Sequence, residues 1–207
     1  MINSGLYKSR EFVEEYLVIN DEHRFFDSPN YLSGTIWYQG RPFHQVLLKY
    51  DLYEEHVIVS PRNVSNVSPI LLEHQKIDSF SVQNRKFIKI AVLEGQSNME
   101  GGFFELLKDT PHYTLFKKHR KTDVRKMDRN RPYYEFKDRS QYVIKYGNAY
   151  HSVKSRKDVL DVFPVSRLVR RRLLGKNTAR ILTDDSILIL LGEIGLVLEQ
   201  ENSVNGL

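Results

Sequence analysis

The stretch "QVLLKYDLYEEHVIV", residues 45–59, decides the fold. Two apolar runs flank a short acidic bend at Leu52–Glu55. Because the side chains of a strand alternate between its two faces, the apolar residues of each run fall on one face of their strand. The pattern therefore predicts a β-hairpin with one buried face, formed by Val46, Leu48, Tyr50, Val57 and Val59.

Other segments carry the same strand signal. The β-branched and aromatic runs at 34–40, 69–82, 85–93 and 112–119 each predict one strand or more. Two segments are ambiguous. Residues 103–109 suit either one or two helical turns or another strand, and residues 11–19 suit either a short helix or an edge strand.

The segment "QYVIKYGNAYHSV", residues 141–153, predicts a second hairpin with a defined register. Gly147–Asn148 is typical of a two-residue hairpin turn. That turn places three residue pairs opposite each other on one largely apolar face. The predicted pairs are Tyr146 with Ala149, Ile144 with His151, and Tyr142 with Val153.

After this hairpin the sequence changes to helical signals. Ser155 followed by Asp158 predicts a capping box that opens a helix over 156–163. A second helix is predicted over 165–175, with Ser166 as N-cap and Gly175 just past its end. A third helix is predicted from Thr183 or Asp184 to about Glu199.

These elements predict a mainly β (α+β) fold. We expect an antiparallel meander of about eight to ten strands that forms an open barrel or sandwich, followed by C-terminal helices. Three segments are expected: 1–30, an N-terminal segment packed on the sheet; 31–154, the antiparallel β domain; and 155–200, a helical segment of the same domain.

Composition excludes some classes of site. The 207-residue chain has no cysteine, which rules out disulfides, cysteine nucleophiles and cysteine-liganded zinc. Its net charge of +5 permits contact with nucleic acid or another acidic surface. No signal peptide is visible at Met1, and the most apolar run, 186–198, is too short for a transmembrane segment and contains Glu193.

A basic run at 117–131 holds eight Lys or Arg residues and only two Asp. The preferred interpretation is a solvated flexible loop between strands. The alternative is a patch for nucleic acid, phosphate groups or an acidic protein, extended by a second basic segment at 167–176. The candidate partner-binding residues are Lys117, Lys118, Arg120, Lys121, Arg125, Lys126, Arg170, Arg171 and Arg172.

Two further site hypotheses rest on residue types. Five aromatic side chains close in sequence are candidates for a groove that binds sugar or peptide, although strand alternation places some of them in the core. His44 and His56, with Asp51 or Glu55, are weak candidates for a zinc site. Asp51 is interpreted instead as accepting backbone N–H bonds in the bend. The groove candidates are Trp37, Tyr38, Phe43, Tyr50 and Tyr53.

No local catalytic motif occurs: the sequence has no P-loop, no Gly-x-Ser-x-Gly and no His-Glu-x-x-His. We therefore predict no catalytic residue, no metal and no cofactor, and lean against an enzyme. A catalytic site assembled from distant residues stays open as an alternative.

The segment 34–59 resembles the signature of a family of uncharacterised Bacteroidetes proteins that are usually considered exported. The matching residues form a strand ending Tyr-x-Gly, an aromatic, Val-x-Leu-x-Tyr-Asp, a bend and a valine-rich strand. Similar blocks at 102–107 and 133–164 extend the resemblance over about residues 30–180, whereas 181–200 departs from it. The matching positions are Tyr38, Gly40, Phe43, Val46, Leu48, Tyr50, Asp51, Val57 and Val59.

The resemblance implies export, a β-rich fold and no known catalytic residue. We therefore expect a non-enzymatic protein of the periplasm or outer membrane, a binding or accessory component whose partner is another envelope protein. The alternatives are a binder of nucleic acid or acidic surfaces through the basic patch, and an enzyme with a dispersed site. The oligomeric state is not predicted.

Overall fold

The structure, a computed structural model, is built mainly from antiparallel strands followed by short helices. The residues it describes are 6, 10–19, 22–61, 68–91, 100–165, 167–174, 187–192 and 194. Their strands are β1 Arg10–Glu11, β2 Leu32–Tyr38, β3 Arg41–Tyr50, β4 Val57–Ser60, β5 Ile70–Leu71, β6 Ile77–Val82, β7 Arg85–Ile90, β8 Gly102–Asp109, β9 Tyr113–Lys118, β10 Lys121–Asp128, β11 Arg131–Asp138, β12 Gln141–Tyr146 and β13 Ala149–Val153.

Helix α1 spans Arg156–Val162 and helix α2 spans Arg167–Leu174. Residues 187–192 and 194 are also helical, within the predicted third helix. The mainly β antiparallel fold with C-terminal helices is confirmed, although the described residues hold thirteen strands, more than expected. The predicted caps Ser166, Gly175, Thr183 and Asp184 lie outside the described residues.

The chain forms two compact units. The first comprises Met1–Leu106 and Lys117–Ser140, and the second comprises Leu107–Phe116 and Gln141–Leu207. The predicted segment boundaries at 31 and 154 remain predictions.

In the first unit the strands follow the order β1-β5-β4-β3-β2-β6-β7-β8, and β10 pairs with β11 as a separate two-stranded sheet. The opening hairpin is confirmed: Leu48 pairs with Val59 and Tyr50 with Val57. The apolar face predicted for it is fully buried in the core of this unit. Stacked and edge-on contacts among Tyr50, Phe80 and Phe87 fill the centre of that core.

The second unit has its own apolar core. Its hairpin β12–β13 has the predicted register, with all three predicted pairs present. Gly147 has φ +57°, which a type II′ turn requires at its first central position. In α1, Ser155 and Asp158 form the predicted capping box, and Val159 and Leu160 are buried against the sheet.

The ambiguous segments take definite forms. Residues 103–109 belong to strand β8, in which Phe103, Phe104 and Glu105 are all buried. At the N-terminus only Arg10–Glu11 forms a strand, and residues 12–19 have no regular secondary structure, so neither predicted form extends over 11–19. We call residues 12–19 the N-terminal strap.

Candidate binding surface and buried ion pairs

A buried ion pair joins the bend after β3 to the N-terminal part of the first unit. The Asp51 carboxylate accepts hydrogen bonds from the backbone N–H groups of Tyr53, at 2.9 Å, and Glu54, at 3.2 Å. This confirms the interpretation of Asp51 as a bend residue. Its other oxygen lies 2.8 Å from Nε of Arg24, and the exposed fractions of the two side chains are 0% and 2%.

The Arg24 guanidinium is enclosed by the strap. It pairs with Glu14 at 3.1 Å and lies over the ring of Tyr16, 4.4 Å from the ring centroid. Burial raises the pKa of Asp51, and the charge of Arg24 and the two backbone hydrogen bonds oppose that rise. The Asp51–Arg24 pair therefore depends on both partners being present.

A cleft of about 450 Å³ lies beside this pair. Within it, Glu54 accepts a hydrogen bond from the Tyr16 hydroxyl at 3.0 Å and lies 3.2 Å from Nδ1 of His56. Burial and the hydrogen bond to Glu54 raise the pKa of Tyr16. Three polar groups that line the cleft, those of Tyr16, Glu54 and His56, are thus engaged with one another. The lining residues are Arg10, Glu11, Phe12, Val13, Glu15, Tyr16, Arg24, Glu54, His56 and Leu71.

Two more buried ionic contacts stabilise the first unit. Glu105 is 2.5 Å from both Nε2 of His119 and Nε of Arg85. Burial alone would raise the pKa of Glu105, but hydrogen bonds and charge from His119 and Arg85 outweigh it and lower that pKa. Lys118 pairs with Glu55, and burial lowers the pKa of the Lys118 ammonium.

The four candidate zinc ligands have four different partners. His44 contacts the Thr35 hydroxyl and His56 contacts Glu54, while Asp51 and Glu55 pair with Arg24 and Lys118. Over the described parts of the chain, no three His, Asp or Glu side chains are grouped so as to hold a metal ion.

The basic run does not form a flexible loop, and that prediction is wrong. It forms the end of β9, all of β10 and the turn into β11. The sequence does not indicate this strand, because most of β10 is exposed on both faces and so lacks the alternation of apolar and polar residues.

Internal contacts engage several cations of the run. Lys118 is buried, Arg120 pairs with Glu100, Lys126 pairs with Glu135, and Lys121 donates to the His23 carbonyl. Arg125, Arg129 and Arg131, on β10 and at its turn, have no such partner among the described residues. Burial opposes the lowering of the Asp138 pKa, two hydrogen bonds from Ser140 produce most of it, and the charge of the remaining candidate, Lys117, adds to it.

The second basic segment belongs to the second unit. There Arg170 pairs with Asp161 and donates to the Leu160 carbonyl at 2.7 Å, so it holds α2 to α1. Arg171 is exposed. The side chain of Arg172 lies outside the described residues.

The five groove candidates do not share a surface. Tyr38 and Tyr50 are core residues, and Phe43 packs against the same core. Tyr53 packs edge-on against Tyr16 and Phe136. Trp37 is half-buried in β2.

Sequence reasoning missed an exposed surface made by the strap and the β10–β11 hairpin, which we call the strap–hairpin surface. The N–H of Tyr134 donates to the Leu17 carbonyl at 2.9 Å, and the Tyr16 ring packs on Tyr134. Large apolar side chains remain exposed on both parts. They are Val13 at 65%, Leu17 at 53% and Ile19 at 52% on the strap, and Met127 at 62% on the hairpin face that also carries Tyr134. Val124, which is 39% exposed, lies on the opposite face of the hairpin.

Comparisons with known proteins do not place the chain in a family. No protein-family model, no curated protein and no solved structure matches it significantly. Within the described ranges, no helix has both the length and the apolar character needed to cross a membrane.

Proposed function

We propose that this protein is a non-enzymatic binding protein, an accessory component of a protein assembly of the bacterial envelope, exported to the periplasm or the outer membrane. The observation that carries the proposal is the strap–hairpin surface. Large exposed apolar side chains that occur together mark interaction sites more often than single ones do. The resemblance to exported Bacteroidetes proteins supports the location.

The composition of this surface fits a protein partner. Tyr, Met and Arg are enriched where proteins bind each other, and on one face of the hairpin Arg125 and Met127 lie beside Tyr134. By contrast, the buried charges of the first unit are paired internally, as Arg24 is with Asp51. That pairing supports a structural role for them.

A second candidate function is binding to nucleic acid or another acidic surface. It is favoured by the three arginines Arg125, Arg129 and Arg131, which have no ionic partner within the described residues. Such binding would be sensitive to salt, because it depends on displaced counterions.

The test is an affinity pull-down of the tagged protein from its own cells at physiological salt, with envelope and cytosol fractionated. The test variant is Leu17→Ser with Ile19→Ser. The matched control is Leu188→Ser with Ile189→Ser, an exposed apolar pair in the second unit.

We expect the wild type and the control to recover the same envelope proteins, and the strap variant to lose them at least tenfold. Recovery from the cytosol with nucleic acid that moderate salt releases would contradict the envelope function and favour the second candidate. Equal recovery by the strap variant would show that the partner binds elsewhere.

A further inference from the structure

Along most of one edge of β10, which we call its free edge, the backbone N–H groups have no partner among the described residues. In its hairpin Asp128 pairs with Arg131 around the turn at Arg129 and Asn130, whose φ values are +42° and +65°. The pair that flanks a two-residue turn is hydrogen-bonded, and every second pair beyond it is bonded too. The intervening residues direct their N–H and C=O groups away from the partner strand.

The other strand confirms this alternation. Tyr134 and Phe136 of β11 belong to the intervening set, and their N–H groups donate outward to the carbonyls of Leu17 and Glu22. The N-terminal part of the chain therefore covers the outer edge of β11.

The corresponding outer groups of β10 belong to Asp123, Arg125 and Met127. Lys121 is also in this set, but its N–H donates to the Leu52 carbonyl at 3.0 Å. Beyond it, the N–H groups of the other three have no partner among the described residues, and all three residues are exposed. Such an edge is a template for another strand.

We propose that the free edge of β10 binds an extended acidic segment of a partner protein, which adds to the hairpin as a third strand. This inference rests on the proposed function and names the mode of binding and the chemistry of the partner. Main-chain hydrogen bonds to Asp123, Arg125 and Met127 supply the affinity in this mode, and side chains select the partner.

The charge of the hairpin selects an acidic segment. Arg125 on β10 and Arg129 and Arg131 at its turn have no ionic partner among the described residues, and these three cations outnumber Asp123 and Asp128 on the same segment. Carboxylates on the added strand would lie beside these cations, and opposite charges on adjacent strands stabilise a sheet. A second copy of β10 offers Arg125 a carboxylate, that of Asp123, in only one register, whereas a segment rich in Asp and Glu offers carboxylates in several.

The test compares two uncharged substitutions of Arg125, only one of which keeps the backbone donor. Arg125→Thr removes the charge, and Arg125→Pro removes the charge and the outward N–H. Proline is compatible with a strand where its nitrogen faces the free edge. Pro132 already occupies an outward position on β11, opposite Met127. Amide spectra and melting curves establish that both variants keep the fold.

The probe is a blocked seven-residue peptide that alternates glutamate with valine, and the control peptide has lysine in place of glutamate. We expect the acidic peptide to slow hydrogen exchange of the Asp123, Arg125 and Met127 amides. Arg125→Thr should bind it a few-fold more weakly than wild type, and Arg125→Pro at least tenfold more weakly than Arg125→Thr. The lysine peptide should not bind.

Equal affinity of the two variants, or binding that leaves the three amides unprotected, would overturn the inference. Preferential binding of a single-stranded oligonucleotide without that protection would instead identify the arginines as phosphate ligands. If the strap variant loses its envelope partner while Arg125→Pro and Arg125→Thr retain it equally, the proposed function stands and edge binding fails.

Discussion

Asp51 shows how one side chain serves two structural tasks. It caps the bend after β3 with one oxygen and neutralises buried Arg24 with the other. Removing one member of a buried ion pair leaves a charge without compensation, which typically costs about 3–5 kcal/mol.

We therefore expect Arg24→Met to lower the free energy of unfolding by about 3 kcal/mol. Adding Asp51→Asn should recover part of this loss, because the amide removes the unpaired charge and its oxygen still accepts the bend hydrogen bonds. Denaturant unfolding of the single and double variants measures this coupling. Strictly additive losses would show that the pair contributes nothing.

Glu105 makes the stability depend on acid pH. Its pKa is lower in the folded protein than in the unfolded chain, so the unfolded state binds more protons as the pH falls. The stabilisation is present above the unfolded pKa and is lost below about pH 5, as the pH falls through the folded pKa.

Glu105→Gln should therefore be less stable than the wild type at pH 7, and the difference should shrink as the pH falls towards the folded pKa. Urea unfolding from pH 7 to pH 3 measures the difference. Glu15→Gln, at an exposed position, is the control. A difference that stays constant with pH would contradict the assigned role of the carboxylate.

Gly34 in β2 shows what the centre of a sheet tolerates. A Cβ atom there would overlap the Ser81 carbonyl and the Leu48 side chain, where the pairing of β2 with β3 also shifts register. Gly40, in the turn before β3, has φ +72° and open space around it.

Gly34→Ala should cost about 2–3 kcal/mol, because backbone and core have to move apart. Gly40→Ala should cost about 1 kcal/mol, from the left-handed backbone alone. Thermal melts of both variants compare the cost of a steric overlap, in Gly34→Ala, with the cost of a left-handed backbone, in Gly40→Ala. The reverse order would mean that β2 and β6 separate easily.

The contribution of the α1 capping box to stability can be measured separately. Ser155→Ala removes the side-chain acceptor of the Asp158 N–H and should cost about 1 kcal/mol. Ser155→Thr keeps an acceptor and should cost less. Helical circular dichroism during urea unfolding reports the difference, and equal losses would contradict a capping role.

The two hairpins were predictable because turn chemistry and alternation agreed. In β12–β13 the Gly147–Asn148 turn and the apolar face specify the same register. The sequence does not indicate the β10–β11 hairpin, because both faces of β10 are largely exposed to solvent. Charged side chains therefore stand where apolar and polar residues would otherwise alternate. The segment 103–109 was ambiguous because Phe103 and Phe104, neighbours on opposite faces, are both buried.

At the scale of the whole molecule, the sequence does not reveal the buried ion pairs. Nothing local marks Arg24 as the partner of Asp51 or Lys118 as that of Glu55, because each pair is brought together only by the fold. The sequence therefore predicts more cations free to bind a partner in the basic run than the structure leaves. Its cations without an ionic partner among the described residues are Arg125, Arg129 and Arg131.

Those arginines govern the long-range field of the hairpin rather than its stability. Replacing all three with Glu should change the free energy of unfolding by less than about 0.5 kcal/mol each, as is usual at exposed sites. It should slow association with an acidic partner and invert the salt dependence, because added salt would then screen a repulsion instead of an attraction. Stopped-flow binding of the acidic peptide at several salt concentrations tests this, and an unchanged rate would contradict it.

The strap can dock only after the β10–β11 hairpin has been synthesised on the ribosome. The Leu17 carbonyl accepts a hydrogen bond from the N–H of Tyr134, and the Glu22 carboxylate pairs with Lys137, which is synthesised 115 residues later. At about 5–20 residues per second, synthesis delays these contacts by roughly 6–25 seconds. The strap thus leaves the ribosome before the hairpin on which it docks, and during that interval the ring of Tyr16, which packs on Tyr134 in the folded protein, is open to a chaperone.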